Sequence, residues 1–130
     1  MNVANMANQY KNQQAMTASP EELTLMLYNG AIRFVAESIQ GIEHKDMQKA
    51  HNANIRAQEI IREFRATLDM QYEIAKQLDP LYEYMEYQLV QANASKNILL
   101  LGEVKNMLQE LRDTWYQAMK LARGQRAAGN

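Results

Sequence analysis

Two histidines, His44 and His51, are the side chains best suited to metal binding or phosphoryl transfer, because this chain contains no cysteine. A di-iron site in a helical protein needs Glu-x-x-His pairs whose side chains project inward. Gly41 and Gln48 stand three positions before the two histidines, so the sequence lacks both pairs. The absence of cysteine also excludes a thiolate metal site and a disulfide framework. We therefore expect neither a metal ion nor another cofactor.

His51 and the carboxylates offer two other kinds of chemistry. An exposed histidine on the second helix of a bundle could accept a phosphoryl group, but no Lys or Gly follows His51 nearby to neutralise a phosphate or let it approach. A His phosphotransfer protein is therefore the least favoured alternative, behind a partly packed or helix-capping histidine. Carboxylates such as Glu59 and Glu110 have Lys or Arg partners or face solvent at helical spacing. Because the sequence has no Gly-rich phosphate loop and no nucleophile elbow, we expect the protein not to be an enzyme.

Charge and composition narrow the class of protein further. Fourteen Lys and Arg residues balance fifteen Asp and Glu residues, and this balance gives no support to a nucleic-acid partner. The chain shows no signal peptide and no apolar run of about 18 residues, so we expect a soluble, cytoplasmic protein. An apolar content of 47% suffices for one core, and the low Pro and Gly counts favour an all-α chain.

The first predicted helix has a clear N-terminal signal. Ser19 is the expected N-cap, Pro20 occupies the first helical position, and Glu22 follows three residues after the cap. The helix is expected to reach about Ile42. Its apolar positions cover an arc of about 200°, roughly twice the stripe that one packed face requires. This helix therefore carries more apolar surface than a single neighbour can cover.

Three further helices follow from the apolar spacing. Asp46 is the expected N-cap of the second helix, and the fourth helix is expected to end near Ala122. The third keeps its apolar face in phase across Pro80, which favours one kinked helix, although Asp79 and Pro80 could instead begin a new helix. Short connections predict an all-α, antiparallel up-and-down four-helix bundle. The chain then divides into a mobile N-terminal arm, the bundle and a frayed C-terminal tail: residues 1–18, 19–122 and 123–130.

Surplus apolar side chains on the first and third helices are the feature most suggestive of binding. They lie beyond or opposite the expected core stripes, and they are Leu25, Tyr28, Ile32, Ile39, Tyr84, Tyr87 and Val90. Two interpretations compete: these residues bind a partner segment, or they belong to a structural bundle in which inner helices are more deeply buried or a homodimer is closed. Neither interpretation decides whether the free protein forms a weak homodimer.

Over nearly its whole length, the sequence resembles the flagellin-specific export chaperones of the FliS family. The opening motif is the most specific part of the resemblance. The matching residues are Tyr10, Thr17-Ala18-Ser19-Pro20-Glu21-Glu22-Leu23, Met26-Leu27-Tyr28, Gly30-Ala31, Phe34, Lys49-Ala50-His51, Ala57-Gln58-Glu59-Ile60-Ile61, Leu68-Asp69, Ile74-Ala75-Lys76, Leu78, Leu81-Tyr82, Tyr84-Met85, Leu111-Arg112 and Trp115.

The resemblance implies a bundle that holds the disordered C-terminal segment of flagellin in the cytoplasm. Covering that segment prevents premature polymerisation and keeps the subunit ready for the type III export apparatus of the bacterial flagellum. The family is also expected to present its cargo to a flagellar export-gate protein, with the Tyr-containing arm involved. In the arm, Met6, Tyr10 and Met16 are large apolar residues among polar ones, so we expect them to act as a lid over the empty groove and as a docking element once displaced.

Overall fold

The computed structural model describes residues 17–129, and these residues form four long helices joined by short connections. None of the helices in this range is both long enough and apolar enough to cross a bilayer. In chain order the helices are α1 (Pro20–Glu43), α2 (Met47–Thr67), α3 (Glu73–Ser95) and α4 (Ile98–Ala128).

The predicted helix starts are confirmed by hydrogen bonds at the caps. The Ser19 hydroxyl accepts the backbone N–H of Glu22 at 3.2 Å, and the Asp46 carboxylate accepts that of Lys49 at 3.1 Å. Both bonds satisfy amide groups that have no partner within the first helical turn. The side chain of Asn97 begins α4 in the same way, by accepting two backbone N–H groups.

The continuity of α3 and the end of α4 test two sequence-based expectations. Pro80 lies inside one continuous helix, so the prediction of a single third helix is confirmed and a new start at this position is excluded. The prediction that the tail 123–130 is frayed is wrong for most of its length, because α4 continues to Ala128. Ion pairs to the first turn of α1 help to hold this extension: Arg123 with Glu22 at 3.0 Å and Arg126 with Glu21 at 3.5 Å.

The helices form the predicted up-and-down bundle. Helix α1 packs against α2 and α4, and α3 packs against the same two helices. The α1–α2 and α3–α4 pairs therefore lie on opposite sides of the bundle. At the turn between α1 and α2 the backbones approach closely, since a Cβ atom added at Gly41 would lie 2.7 Å from the backbone nitrogen of Ala50. The buried Ser38 hydroxyl donates to the Ala50 carbonyl at 2.8 Å and fixes the same approach.

One apolar core runs through the bundle and receives side chains from all four helices. Among its fully buried members are Val35 on α1, Ile61 on α2, Met85 and Leu89 on α3, and Leu108 on α4. Trp115 is in phase with Leu108 and Leu111 on the apolar face of α4, and it packs against this core while staying partly buried. Its indole N–H donates to the backbone carbonyl of Glu21 at 3.0 Å, which ties α4 to the start of α1.

Candidate binding surface

Tyr28 and Ile32 lie in the core, so the prediction that they lie beyond the core stripe is wrong. Their side chains are 4% and 9% exposed, whereas Leu23, which helical spacing places on one stripe with Leu27 and Ala31, is 40% exposed. The core-facing direction of α1 is therefore centred nearer Val35 than Leu23. Because α1 packs against both α2 and α4, much of its wide apolar arc is buried inside the bundle.

A buried tyrosine pair explains how the phenol of Tyr28 is accommodated in the core. One hydroxyl of the pair Tyr28 and Tyr82 donates to the other at 2.6 Å, which joins α1 to α3 across the bundle. The Phe64 ring of α2 contacts both phenols, with ring centroids 4.5 Å and 5.4 Å away. Burial raises the pKa of both tyrosines, and the hydrogen bond to Tyr28 raises the pKa of Tyr82 further. The pair is therefore neutral at physiological pH and acts in packing.

Leu25 and Ile39, the other two predicted residues of α1, are partly buried. Ile39 packs against the core. Leu25 lines a depression of about 300 Å³ at the start of α1, together with Thr17, Ala18, Glu22 and Met26. Of the four predicted residues on α1, Leu25 thus lines a cavity on the surface, while Tyr28 and Ile32 do not reach it.

The three predicted residues of α3 are exposed, as expected. Tyr84, Tyr87 and Val90 retain 42%, 60% and 44% of their accessible surface. The Tyr84 hydroxyl donates to the Glu103 carboxylate of α4, and this bond raises the pKa of the Tyr84 phenol. The Gln88 amide donates to both groups, at 3.0 Å to the tyrosine and 3.2 Å to the carboxylate. This polar cluster joins α3 and α4 beside the exposed apolar side chains.

A shallow groove between α3 and α4 includes three residues that apolar spacing assigns to the core-facing sides of these helices: Leu81, Met107 and Leu111. The α3–α4 groove has a volume of about 210 Å³ and is lined by Leu81, Met107, Glu110, Leu111 and Thr114. Leu81 is 40% exposed. The sequence feature that indicates this exposure is the position of Leu81 at the edge of the apolar stripe of α3, where a side chain lies partly in the core and partly on the surface.

The remaining chemistry-bearing residues do not form a site. His51 is exposed, and its Nδ1 atom lies 2.9 Å from the Asn93 amide nitrogen, a contact between α2 and α3. Within residues 17–129, no three His, Asp or Glu side chains come close enough together to hold a metal ion. The predicted lid residues Met6, Tyr10 and Met16 lie outside the described residues.

Comparisons with known proteins agree on one family. The model of the family described as "Flagellar protein FliS" matches residues 3–122. The "Flagellar secretion chaperone FliS" of Bacillus subtilis is 38% identical over 126 residues, covering 97% of this chain and 95% of the relative.

More distant relatives carry similar names. The "Flagellar secretion chaperone FliSB" of Pseudomonas aeruginosa is 34% identical over 104 residues, or 78% of this chain and 82% of its own length. The "Flagellar secretion chaperone FliS" of Salmonella typhimurium is 33% identical over 105 residues, or 78% of each chain. From the match to the family model and the identity to these relatives, we conclude that this chain belongs to the FliS family.

Proposed function

We propose that this chain is a cytoplasmic export chaperone that binds the C-terminal segment of flagellin, prevents its premature polymerisation and aids its delivery to the flagellar export gate. The observation that carries the proposal is the apolar α3–α4 groove, together with the exposed apolar side chains of α3. Membership of a family whose compared relatives are named flagellar secretion chaperones supports the same role. The role requires binding and release of a client and no catalysis.

The groove suits the apolar face of an amphipathic helix. Leu81, Met107 and Leu111 provide an apolar floor, and Glu110 and Thr114 add polar groups beside it. A helix bound in this way places side chains spaced three or four positions apart into the groove and leaves its polar face in water. A segment that is disordered alone can adopt this conformation on binding, at an entropic cost that the contacts must offset.

The groove and the exposed apolar side chains of α3 are together too small to hold such a segment tightly. Leu81, Tyr87 and Val90 are each about half exposed, and covering the remainder contributes about 1 kcal/mol per side chain. A total of about 3 kcal/mol is less than millimolar affinity requires. The client must therefore contact further surface, and the depression that contains Leu25 is a second candidate contact. Leu25 and Ile39 stay predicted members of the binding surface.

Binding of a labelled flagellin C-terminal segment, followed by fluorescence anisotropy, tests the proposal. Leu81→Glu places a charge in the α3–α4 groove and Tyr87→Glu places one on the exposed face of α3, and each is expected to weaken binding at least tenfold. Matched controls are Met47→Glu on α2 and Tyr116→Glu on the opposite face of α4, since these side chains have similar exposure, 42% and 47%. The controls are expected to change the dissociation constant less than twofold.

Thermal melting of each variant separates binding from folding. All four substitutions replace half-exposed side chains, so the melting curves are expected to stay close to that of the unmodified protein. If the Leu81→Glu variant binds the flagellin segment as tightly as the controls do, the groove is not the binding site. If Leu81→Glu instead abolishes self-association measured by gel filtration, the groove closes a homodimer and the proposal is wrong.

A further inference from the structure

A second depression lies on the opposite side of the bundle, between α1 and α2. Its volume of about 620 Å³ falls within the range of ligand-binding clefts. Charged residues and one aromatic ring line it: Arg33, Phe34, Glu37, Asp46, Lys49, Asn52, Ala53 and Arg56. We call this feature the α1–α2 depression. The flagellin-binding proposal makes no use of it.

The Phe34 ring is the apolar centre of the depression. Arg33 and Arg56 place their guanidinium carbons 5.0 Å and 5.7 Å from the ring centroid. A guanidinium group beside an aromatic face is held by cation–π attraction without losing its positive charge. The ring therefore holds the Arg56 side chain of α2 beside α1 and keeps that charge available to a ligand.

The two carboxylates of the depression are already engaged. Glu37 lies 3.8 Å from Arg33, and the Asp46 carboxylate caps α2. In the described part of the chain, neither Lys49 nor Arg56 has a carboxylate within 4.0 Å. The depression thus presents two unpaired cations beside an apolar ring.

The spacing of these cations identifies a ligand. Lys49 and Arg56 are seven positions apart on α2, so their backbones are separated by about 10.5 Å along the helix axis. In an extended polyproline II conformation, which has three residues per turn and a rise of about 3.1 Å per residue, carboxylates three residues apart lie on the same edge and are separated by about 9 Å. An acidic peptide in this conformation therefore places one carboxylate at each cation and turns an intervening side chain toward another face, and the arginine can take its carboxylate through two parallel N–H···O bonds.

We propose that the α1–α2 depression binds an extended acidic segment of a partner protein, with two carboxylates three residues apart and an apolar side chain between them on Phe34. The formal net charge of the chain is −1, which disfavours a nucleic-acid occupant because that binding depends on many phosphate contacts. Since α1–α2 and α3–α4 lie on opposite sides of the bundle, a segment bound in the α1–α2 depression does not block the α3–α4 groove.

The test is an NMR titration of the full chain with a short extended peptide that carries two Glu residues three positions apart and a Leu between them. Control peptides carry Gln in place of Glu, or the two Glu residues side by side. We expect amide and side-chain shifts confined to the α1–α2 depression, and binding by the controls at least fivefold weaker. The double variant Lys49→Glu, Arg56→Glu is expected to lose at least tenfold in affinity, whereas Lys105→Glu on α4 keeps it.

Three results of the peptide titration would overturn the proposal: equal binding of the Gln peptide, shifts spread away from Phe34, or an equal loss in the Lys105→Glu variant. A single-stranded oligonucleotide that binds the same residues more tightly than the peptide would also overturn it, in favour of a phosphate-bearing partner. Binding of the flagellin segment by the Lys49→Glu, Arg56→Glu variant is expected to stay unchanged. A failure of the acidic-segment proposal is therefore distinguishable from a failure of the proposed chaperone function.

Discussion

The buried tyrosine pair makes a quantitative prediction about stability. Tyr82→Phe removes one hydroxyl and leaves the other, on Tyr28, in a site that is 4% exposed. In the described chain Tyr82 is the one hydrogen-bond partner of that hydroxyl, at 2.6 Å. A buried polar group without a partner destabilises the folded state by about 1 to 3 kcal/mol. We expect that loss in the free energy of unfolding measured with urea, and a similar loss for Tyr28→Phe.

The double variant separates the hydrogen bond from the packing of the rings. When both residues are Phe, no hydroxyl remains unsatisfied and the stack on Phe64 is kept, so the double variant is expected to be more stable than the sum of the two single losses predicts. Single losses that add up in the double variant would show that the hydroxyls do not interact, and would refute this account of why Tyr28 is buried.

Alkaline pH gives the pair a second signature. Burial raises the pKa of both phenols in the folded state above the ordinary value of about 10. The unfolded chain therefore releases these protons first, and stability is lost as the pH rises above about 10. The double Phe variant should lose less stability over this interval than the unmodified protein. Equal losses in the two proteins would contradict the stated effect of burial on these pKa values.

Three further predictions concern the bundle and the arm. Gly41→Ala is expected to destabilise the fold by about 1 to 3 kcal/mol in urea unfolding, because the new Cβ would lie 2.7 Å from the α2 backbone. Gly102→Ala is its control, since its Cβ would meet nothing within 4 Å, and it should stabilise the helix by about 0.5 to 1 kcal/mol. Trp115→Ala is expected to lower the unfolding free energy by about 2 to 4 kcal/mol, and a loss below about 1 kcal/mol would place the indole outside the core. Removal of residues 1–16 should leave the bundle folded by circular dichroism, raise self-association and keep flagellin binding at least as tight, whereas Tyr10→Ala should mainly impair export. If the truncated protein is folded but no longer binds flagellin, the arm contributes to flagellin binding and does not act as a lid.

Local signals in the sequence were sufficient to predict most of the fold. The caps at Ser19 and Asp46 depend on side chains within three residues of the amides they bind, so the sequence alone reveals them. The continuity of the third helix followed from an apolar face that keeps its phase across Pro80. The end of α4 was missed because ion pairs with the distant first turn of α1 support the last turns, and helical spacing carries no information about such contacts.

The binding surface was predicted less well, because periodicity gives the width of an apolar arc and not its direction. The wide arc of α1 was real, but its buried centre lies nearer Val35 than Leu23. Tyr28 was placed outside for that reason. Helical spacing also carries no information that the Tyr82 hydroxyl forms a hydrogen bond with the Tyr28 hydroxyl in the core. On α3, the exposed positions Tyr84 and Tyr87 were predicted correctly because they fall opposite or beside the core face.

Photo-crosslinking at the α3–α4 groove tests the central claim most directly. A photoreactive amino acid at position 81 replaces a side chain that is 40% exposed and lines the groove, and the same group at position 116 is the control on the opposite face of α4. Irradiation with full-length flagellin is expected to give a crosslink from position 81 that mass spectrometry maps to the C-terminal segment of flagellin, with little product from position 116. Crosslinks that map elsewhere in flagellin, or equal yields from the two positions, would contradict the proposal that this groove holds the flagellin C-terminal segment.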